Sequence, residues 1–194
     1  RRVRFTSPHP KDLRPETIAA MADVPAVCEH LHLPLQSGSD TVLAAMHRGY
    51  TAERYLERLA AARSAIADLA VTTDIIVGFP GETEADFEAS LALLRRARFD
   101  GSFAFVFSPR PHTVAARRLG SAPDWVEVPR PVALGRLERL LKVQRAELEA
   151  LNPYPGADPI EPELAAIIRT TPRRCEATGA RSERAIQTTE PDRP

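Results

Sequence analysis

The chain has 194 residues, of which 43% are hydrophobic and 27% charged, and this suits a globular domain with a sizeable core. Its 26 Lys and Arg residues balance 26 Asp and Glu residues, so no overall positive charge would attract RNA or DNA. No apolar run approaches the roughly 18 residues of a membrane span, and no signal-peptide pattern opens the sequence. We therefore expect a cytoplasmic protein that does not associate with a membrane.

The first 36 residues contain two strand patterns on either side of a helix pattern. The opening "RRVRFTS" is strand-like, and a helix is predicted over Pro15–Ala22, where the proline suits the first turn. The next strand pattern, "EHLHLPLQ" at 29–36, alternates strictly between two sides. Its three leucines would pack under helices, which leaves the other side to face a solvated cavity. That second side consists of His30, His32, Pro34 and Gln36.

The middle of the chain alternates helix patterns with two further strand patterns. Asp40 can cap a short helix, and a longer helix is predicted from Thr51 to Asp68 because apolar residues recur every three or four positions. A strand over 71–77 follows, and Thr83-x-x-Asp86 has the spacing of a capping box that opens another helix. The stretch "GSFAFVFSPR" at 101–110 is apolar on both faces, which predicts a strand buried on both sides of a parallel sheet.

This alternation predicts a parallel α/β fold. Because one side of "HLHLPLQ" is polar, a partial (β/α) barrel around a cavity fits better than a flat sheet covered on both faces. Four strand patterns cannot close an eight-stranded barrel, so the sheet should be open with an unpaired edge. We assign the partial barrel to residues 1–122, a linker and amphipathic helix to 123–151, and a Pro-rich disordered tail to 152–194.

The predicted C-terminal helix has leucines on one side and basic residues between them. Its apolar side would contain Leu134, Leu137, Leu141 and Leu148. The interleaved basic residues are Arg136, Arg139, Lys142 and Arg145. We interpret the basic residues as a solvated helix face, with an RNA-facing ridge as the alternative.

Three polar residues on separate segments form the candidate binding site. Ligands of parallel α/β folds bind at the carboxyl ends of strands. Gln36 ends one strand, Asp74 lies within the next, and Arg48 follows the short helix between them. The Asp74 carboxylate can accept two hydrogen bonds from a ribose diol, and the Gln36 amide can form a hydrogen bond with the same diol. The Arg48 guanidinium can bind a carboxylate. Gly78 and Gly81 would let the backbone approach a flat ring. A polar layer without any ligand is the alternative interpretation.

Four segments resemble, in the same order, segments of the methylthiotransferase family of radical S-adenosylmethionine (SAM) enzymes. They are "RRVRFTSPHPKD", "HLHLPLQSGSDTVLAAMHRGYT", "TTDIIVGFPGETEADF" and "FSPRP". The similarity covers about residues 1–145 and is strongest for the branch that modifies isopentenyladenosine in tRNA. It implies a radical SAM partial barrel in which SAM spans the strand ends.

The resemblance also implies positions for the cofactor. Gln36 and Asp74 would lie near the ribose of SAM, and Arg48 near its methionine carboxylate. Backbone of the "FAFVFS" strand would flank the adenine. The expected cofactor-binding residues are Gln36, Ser37, Arg48, Asp74 and Gly78.

For the complete enzyme, the resemblance implies SAM and [4Fe–4S] clusters as cofactors and an anticodon-loop adenosine of tRNA as substrate. A deoxyadenosyl radical formed from SAM would abstract hydrogen from carbon 2 of N6-isopentenyladenosine, and sulfur and methyl would then be installed. This family binds its catalytic cluster through a CxxxCxxC loop and a second cluster through three more cysteines, whereas this sequence contains only Cys28 and Cys175. We interpret the chain as part of a longer, monomeric enzyme, without catalytic or metal-binding residues of its own, and predict that it is inactive in isolation.

Several alternatives remain open from the sequence. Sister branches of the family modify threonylcarbamoyl-adenosine in tRNA or an aspartate of a ribosomal protein. The chain could also be a non-catalytic remnant that still binds SAM. A metal-dependent hydrolase is the third possibility, because His30-x-His32 places two imidazoles on one strand face and Asp74 could be a third zinc ligand.

Overall fold

A computed structural model of the chain describes residues 2–4, 7–119, 121–122 and 125–151. The tail predicted at 152–194 lies outside these residues. Within the described part, no helix is both long and apolar enough to cross a membrane.

Three parallel strands form an open sheet. They are β1 (His30–His32), β2 (Ala70–Val77) and β3 (Gly101–Val106), arranged in the order β1-β2-β3. The opening segment contributes a single parallel bridge between Val3 and Val27. Among the described residues, β1 and β3 are therefore the outer strands, and the predicted open parallel sheet is confirmed.

Six α-helices accompany the sheet among the described residues, after a short 3-10 turn at Pro10–Asp12. The predicted apolar stripe of the third helix is confirmed, since Tyr55, Leu59 and Ala62 are all buried. The helices are α1 (Pro15–Asp23), α2 (Asp40–Ala45), α3 (Ala52–Ala65), α4 (Glu84–Ala97), α5 (Val114–Arg118) and α6 (Arg130–Leu151).

The core lies between one face of the sheet and helices α1, α3, α4 and α6. Odd-numbered residues of β2 face this core, and Val71, Ile75 and Val77 are fully buried. Leu31 of β1 is likewise fully buried, as its predicted alternation requires. Burial of such side chains contributes about 1.5–3 kcal/mol each, so this face anchors the fold.

The opposite face of the sheet is open. Phe103 and Phe105 of β3 point away from the core and are 41% and 52% exposed. The prediction that this strand is buried on both sides is therefore wrong. Its sequence is apolar on both faces, but in the described part of the chain the helices cover only one of them.

The N-terminus of α4 is held by the predicted capping box. Thr83 accepts a hydrogen bond from the Asp86 backbone, and Asp86 Oδ2 accepts from the Thr83 backbone at 2.9 Å. Asp86 Oδ1 also accepts from the Ser39 hydroxyl at 2.5 Å. Ser39, and not the predicted Asp40, caps α2, because Asp40 instead accepts from the Ala52 amide at 2.7 Å.

Asp86→Ala is expected to lower the free energy of unfolding by about 1–2 kcal/mol at pH 7, through loss of the cap and of the Ser39 hydrogen bond. Burial alone would raise the pKa of Asp86, but hydrogen bonds from Ser39 and Thr83 outweigh it and lower the pKa below 3.8. Ionised Asp86 therefore stabilises the fold above about pH 4, and this contribution is lost as the pH falls through the folded-state pKa.

Urea unfolding of the wild type and of Asp86→Ala between pH 7 and pH 2.5 measures this effect. The difference between their free energies of unfolding should shrink as the pH falls. Glu57→Ala, at an exposed position of α3, is the control and should change stability by less than about 0.5 kcal/mol. A difference that is independent of pH would contradict the assignment to the Asp86 carboxylate.

The predicted apolar side of α6 is confirmed at Leu148, which is buried, and at Leu137, which packs against the core, but it is wrong at the other two leucines. Leu134 and Leu141 are 45% and 44% exposed, whereas Ala133, Leu140 and Leu148 are buried. The contact stripe begins one residue earlier than the leucine pattern indicates. It also includes Arg136, which is neither a solvated nor an RNA-facing residue, since it is only 6% exposed.

Candidate functional site

The open face of β2 presents one acidic side chain. Thr72, Asp74 and Ile76 alternate with the core-facing residues of the strand, and Asp74 is 24% exposed at its side chain. The strand can hold an acid because this side chain lies on the uncovered face. Phe103 is paired directly with Asp74 in β3, so the acid stands beside an exposed aromatic ring.

A one-residue bulge brings Gln36 to the edge of β2. His32 pairs with Thr72 and Gln36 with Ile75, so four steps along the first segment match three along the second. Pro34, which has no amide hydrogen to donate, lies within the bulge.

Side chains support the bulged segment in place of a regular ladder. Thr73 Oγ1 bonds the Leu33 carbonyl and the Leu35 amide, at 2.8 and 2.9 Å. Tyr55 donates to the same Leu33 carbonyl at 2.7 Å. The buried Tyr50 hydroxyl donates to the Leu35 carbonyl at 2.9 Å, and burial raises the pKa of Tyr50 to about 12. The segment that leads to Gln36 is therefore rigid.

The Gln36 backbone is fastened beside Asp74. Its amide donates to the Asp74 carbonyl at 2.7 Å, and its own carbonyl accepts from the Ile76 amide at 2.8 Å. Gln36 has a φ of 73°, which is uncommon for a residue other than glycine. Such conformations often mark ligand sites.

Arg48 lines a hollow of about 280 Å³ beyond the end of β2. Ile76 contributes to the same hollow from the open face, and the aromatic residues Phe79, Phe107 and Trp125 complete much of its wall. Phe79 packs edge-on against Phe107 and Trp125, with ring centroids 5.1 and 5.3 Å apart. Arg48 Nε is buried without a hydrogen-bond partner in the described structure, so the fold by itself leaves this polar atom unsatisfied.

The three residues of the predicted trio thus lie around the same end of β2. Gln36 is bonded to the strand at Asp74, and Arg48 shares a hollow with Ile76, two residues further along the same face. This arrangement is compatible with one ligand that contacts Gln36, Arg48 and Asp74. The common role of these three residues stays a prediction.

Ser37 and Gly78 have their own contacts within the fold. Ser37 is fully buried, and its hydroxyl lies 3.3 Å from that of Ser90 in α4. Gly78 has a φ of 72°, and a Cβ there would lie 2.7 Å from the Ala133 Cβ of α6. Any contact of these two residues with a ligand would therefore involve mainly their backbone.

A chain of hydrogen bonds crosses the open face beside Asp74. His32 Nε2 lies 3.3 Å from Asp74 Oδ2, and His32 Nδ1 lies 2.9 Å from the Thr72 hydroxyl. That hydroxyl is also 3.4 Å from His30 Nε2. Among the described residues, no three His, Cys, Asp or Glu side chains are placed to hold a metal ion. From the sequence, zinc ligation by the two histidines is only the least favoured alternative, and the contact of His32 with Asp74 is not predicted.

A buried ion pair lies next to the site. Arg136 Nη1 of α6 donates to Glu82 Oε2 at 2.8 Å, and the Gly78 amide donates to the same oxygen at 2.7 Å. Burial raises the pKa of Glu82 above 4.5, although both donors act in the opposite direction. The pair fixes the turn after β2 against α6. Its partners are 54 residues apart in sequence, so no local pattern could have indicated it.

Comparison with known proteins identifies the relatives of this chain. Residues 1–94 match the family model of the Radical SAM superfamily. Over these residues the chain resembles the radical SAM superfamily. It is 62% identical over 144 residues to a tRNA-2-methylthio-N(6)-dimethylallyladenosine synthase of Anaeromyxobacter dehalogenans, a match that covers 74% of this chain and 31% of that protein. A synthase of the same name from Aquifex aeolicus is 49% identical over 156 residues, or 80% of this chain and 34% of its own length. The predicted family resemblance is confirmed.

The fold is also that of a solved radical SAM enzyme. Coproporphyrinogen III oxidase of Escherichia coli superposes with a TM-score of 0.59 over 73% of this chain and 32% of its own. The sequence identity is 18%, so this likeness concerns the fold alone. The chain spans about a third of the length of the curated relatives above, which are matched over 31% and 34% of their lengths.

Similarity to the radical SAM superfamily and to these synthases implies SAM and [4Fe–4S] clusters as cofactors. The residues present fit SAM, because the open face offers an accessible carboxylate at Asp74 and an unpartnered guanidinium nitrogen at Arg48 beside aromatic rings. They do not fit a cluster held by three thiolates, because the whole chain has two cysteines. The one in the described part, Cys28, is buried.

Proposed function

We propose that this chain supplies the SAM-binding face of a tRNA methylthiotransferase. The observation that carries this proposal is the Asp74 carboxylate on the open face of the sheet, with the Gln36 backbone bonded to the strand at Asp74 and Arg48 lining the hollow beyond the strand end. The similarity to tRNA-2-methylthio-N(6)-dimethylallyladenosine synthases supports the choice of enzyme within the superfamily.

Each of the three side chains has a chemically distinct task in this proposal. The Asp74 carboxylate accepts hydrogen bonds from the ribose hydroxyls, and Gln36 provides a neutral partner to the same diol. Arg48 binds the carboxylate of the methionine moiety through its guanidinium. The hollow of about 280 Å³ beside Arg48 would hold the methionine moiety, and the adenosine would lie over the open strands near Phe103. When bound, SAM supplies the adenosyl group and the methyl group of the reaction.

The proposed substrate is N6-isopentenyladenosine beside the anticodon of tRNA, methylthiolated at carbon 2 by the complete enzyme. Threonylcarbamoyl-adenosine in tRNA and a ribosomal protein are the alternative substrates of the family. We further propose a cytoplasmic, monomeric enzyme. The isolated chain should be catalytically inactive, because three thiolates for a cluster are missing from its sequence.

Asp74→Asn is expected to weaken SAM binding at least tenfold, because a charged hydrogen-bond acceptor contributes about 1.5–3 kcal/mol and 1.4 kcal/mol corresponds to a factor of ten. Isothermal titration of the 194-residue chain with SAM measures this. Glu57→Gln removes the same charge from an exposed position of α3 and should leave the affinity unchanged. Absence of SAM binding by the folded wild-type chain, or equal affinities of wild type and Asp74→Asn, would overturn the proposal.

A further inference from the structure

The side chains next to Asp74 hold its carboxylate in one orientation. His32 Nε2 approaches Asp74 Oδ2 at 3.3 Å, while its Nδ1 is 2.9 Å from the Thr72 hydroxyl. The imidazole is only 12% exposed and packs edge-on against Phe103, with centroids 6.1 Å apart. Both ring nitrogens and the ring edge are therefore engaged, and the imidazole has little freedom to turn.

The chemistry of the partners determines the direction of each hydrogen bond. An ionised carboxylate only accepts, so His32 Nε2 carries the hydrogen and donates to Asp74. In the neutral ring Nδ1 is then an acceptor and takes the Thr72 hydroxyl hydrogen. The hydroxyl oxygen can in turn accept from His30 Nε2, 3.4 Å away. This leaves His30 Nδ1 as an acceptor, and that atom is buried without a partner.

The geometry points to His32 as a positioning residue for the ribose-binding carboxylate, an inference that rests on the proposed function. One carboxylate oxygen, Oδ2, is held by His32, which leaves Oδ1 and the remaining lone pairs of Asp74 directed to the ligand. Because β1 and β2 are adjacent and paired at His32 and Thr72, the imidazole moves with the strand that carries the acid. His32 acts through Asp74 and does not itself contact SAM.

Two substitutions separate this role from a general packing role. Glutamine at position 32 can place an amide N–H near the site of Nε2, whereas asparagine reaches only about as far as Nδ1 and cannot bond Asp74. We expect His32→Gln to bind SAM within about twofold of wild type and His32→Asn to bind about tenfold more weakly. In an Asp74→Asn background, His32→Asn should have little further effect, because the two side chains act as one unit.

A second measurement does not depend on the cofactor. The ¹⁵N shifts of the His32 imidazole in the unliganded chain should report a protonated Nε2 and an unprotonated Nδ1, and Asp74→Asn should move the Nε2 signal. The protonated Nδ1 tautomer would overturn the inference.

The binding outcomes distinguish the two proposals. If the folded wild-type chain binds no SAM, the proposed function fails and this inference with it. If SAM binds and Asp74→Asn weakens it, but His32→Asn binds like wild type, only the positioning role of His32 fails. Equal losses in His32→Gln and His32→Asn would likewise reject positioning in favour of packing.

Discussion

Arg136→Met should lower the free energy of unfolding by about 3–5 kcal/mol, because it leaves a buried carboxylate without its counter-charge. Glu82 is 5% exposed, and its Oε2 accepts from Arg136 Nη1 at 2.8 Å. Arg136 also donates to the Glu82 carbonyl at 3.0 Å and to Glu84 Oε2 at 3.3 Å, so one side chain bonds three acceptors. Methionine retains much of the apolar stem of the arginine, so lost packing contributes little to the expected effect.

Two further variants test the cause. Arg136→Met combined with Glu82→Gln removes both charges and should recover a large part of the loss, because the amide oxygen can still accept from the Gly78 amide. Arg139→Met removes a neighbouring arginine of α6 that is 47% exposed and pairs with Glu84 and Glu88. Because this arginine is exposed, its loss should destabilise the fold far less than Arg136→Met does.

Urea unfolding followed by circular dichroism measures all three variants at pH 7. Similar losses of unfolding free energy in Arg136→Met and Arg139→Met would contradict the claim that burial of the ion pair makes Arg136 more important for stability. Failure of Glu82→Gln to recover stability would show that the loss does not come from the unpaired carboxylate.

Gly38→Ala should destabilise the fold by about 3 kcal/mol, at the upper end of the cost of overpacking. A Cβ at this position would lie 2.5 Å from the Ala89 carbonyl oxygen and from the Ser90 Cα of α4. These are backbone atoms, so no side chain can turn aside, and the segment after Gln36 would have to separate from the helix. The Gly38 amide would also lose or lengthen its 2.8 Å hydrogen bond to Ser90 Oγ.

Gly135→Ala is the matched control and should act in the opposite direction. Gly135 lies within α6, and a Cβ there meets no atom within 4 Å. Alanine is favoured over glycine in a helix by about 0.5–1 kcal/mol, so this variant should be more stable than wild type. Chemical unfolding of the two variants and the wild type measures their free energies of unfolding. An equal effect of both substitutions would refute the close approach of Gly38 to the backbone of α4.

The features that the sequence predicts correctly are set by neighbours along the chain. The capping box of α4 follows from the spacing of Thr83 and Asp86 alone, and the buried stripe of α3 follows from its helical period. The four motifs that resemble methylthiotransferases likewise depend only on the order of residues. Asp74 could be chosen as a site residue because an acid within an apolar strand pattern is unusual without a partner or an open face.

Other features follow from which elements meet across the fold. Whether Phe103 faces solvent depends on which elements cover the sheet. The sequence of an apolar strand does not show whether helices pack on one of its faces or on both. The pairing of Arg136 with Glu82 joins positions 54 residues apart, so a basic residue in a helix pattern gives no sign of its burial. The contact of His32 with Asp74 depends on the register of β1 against β2.

By itself, then, the sequence predicted five of the six α-helices of the described part, the parallel α/β class and the family resemblance, because caps, periodicity and motif order are local properties; it also singled out the three polar residues of the candidate site. Only the tertiary structure decided which strand face is open, where the bulge before Gln36 lies and which histidine supports the acid. These depend on distances between segments that are far apart in the chain, and packing and hydrogen bonding across those distances leave no periodic pattern in the sequence.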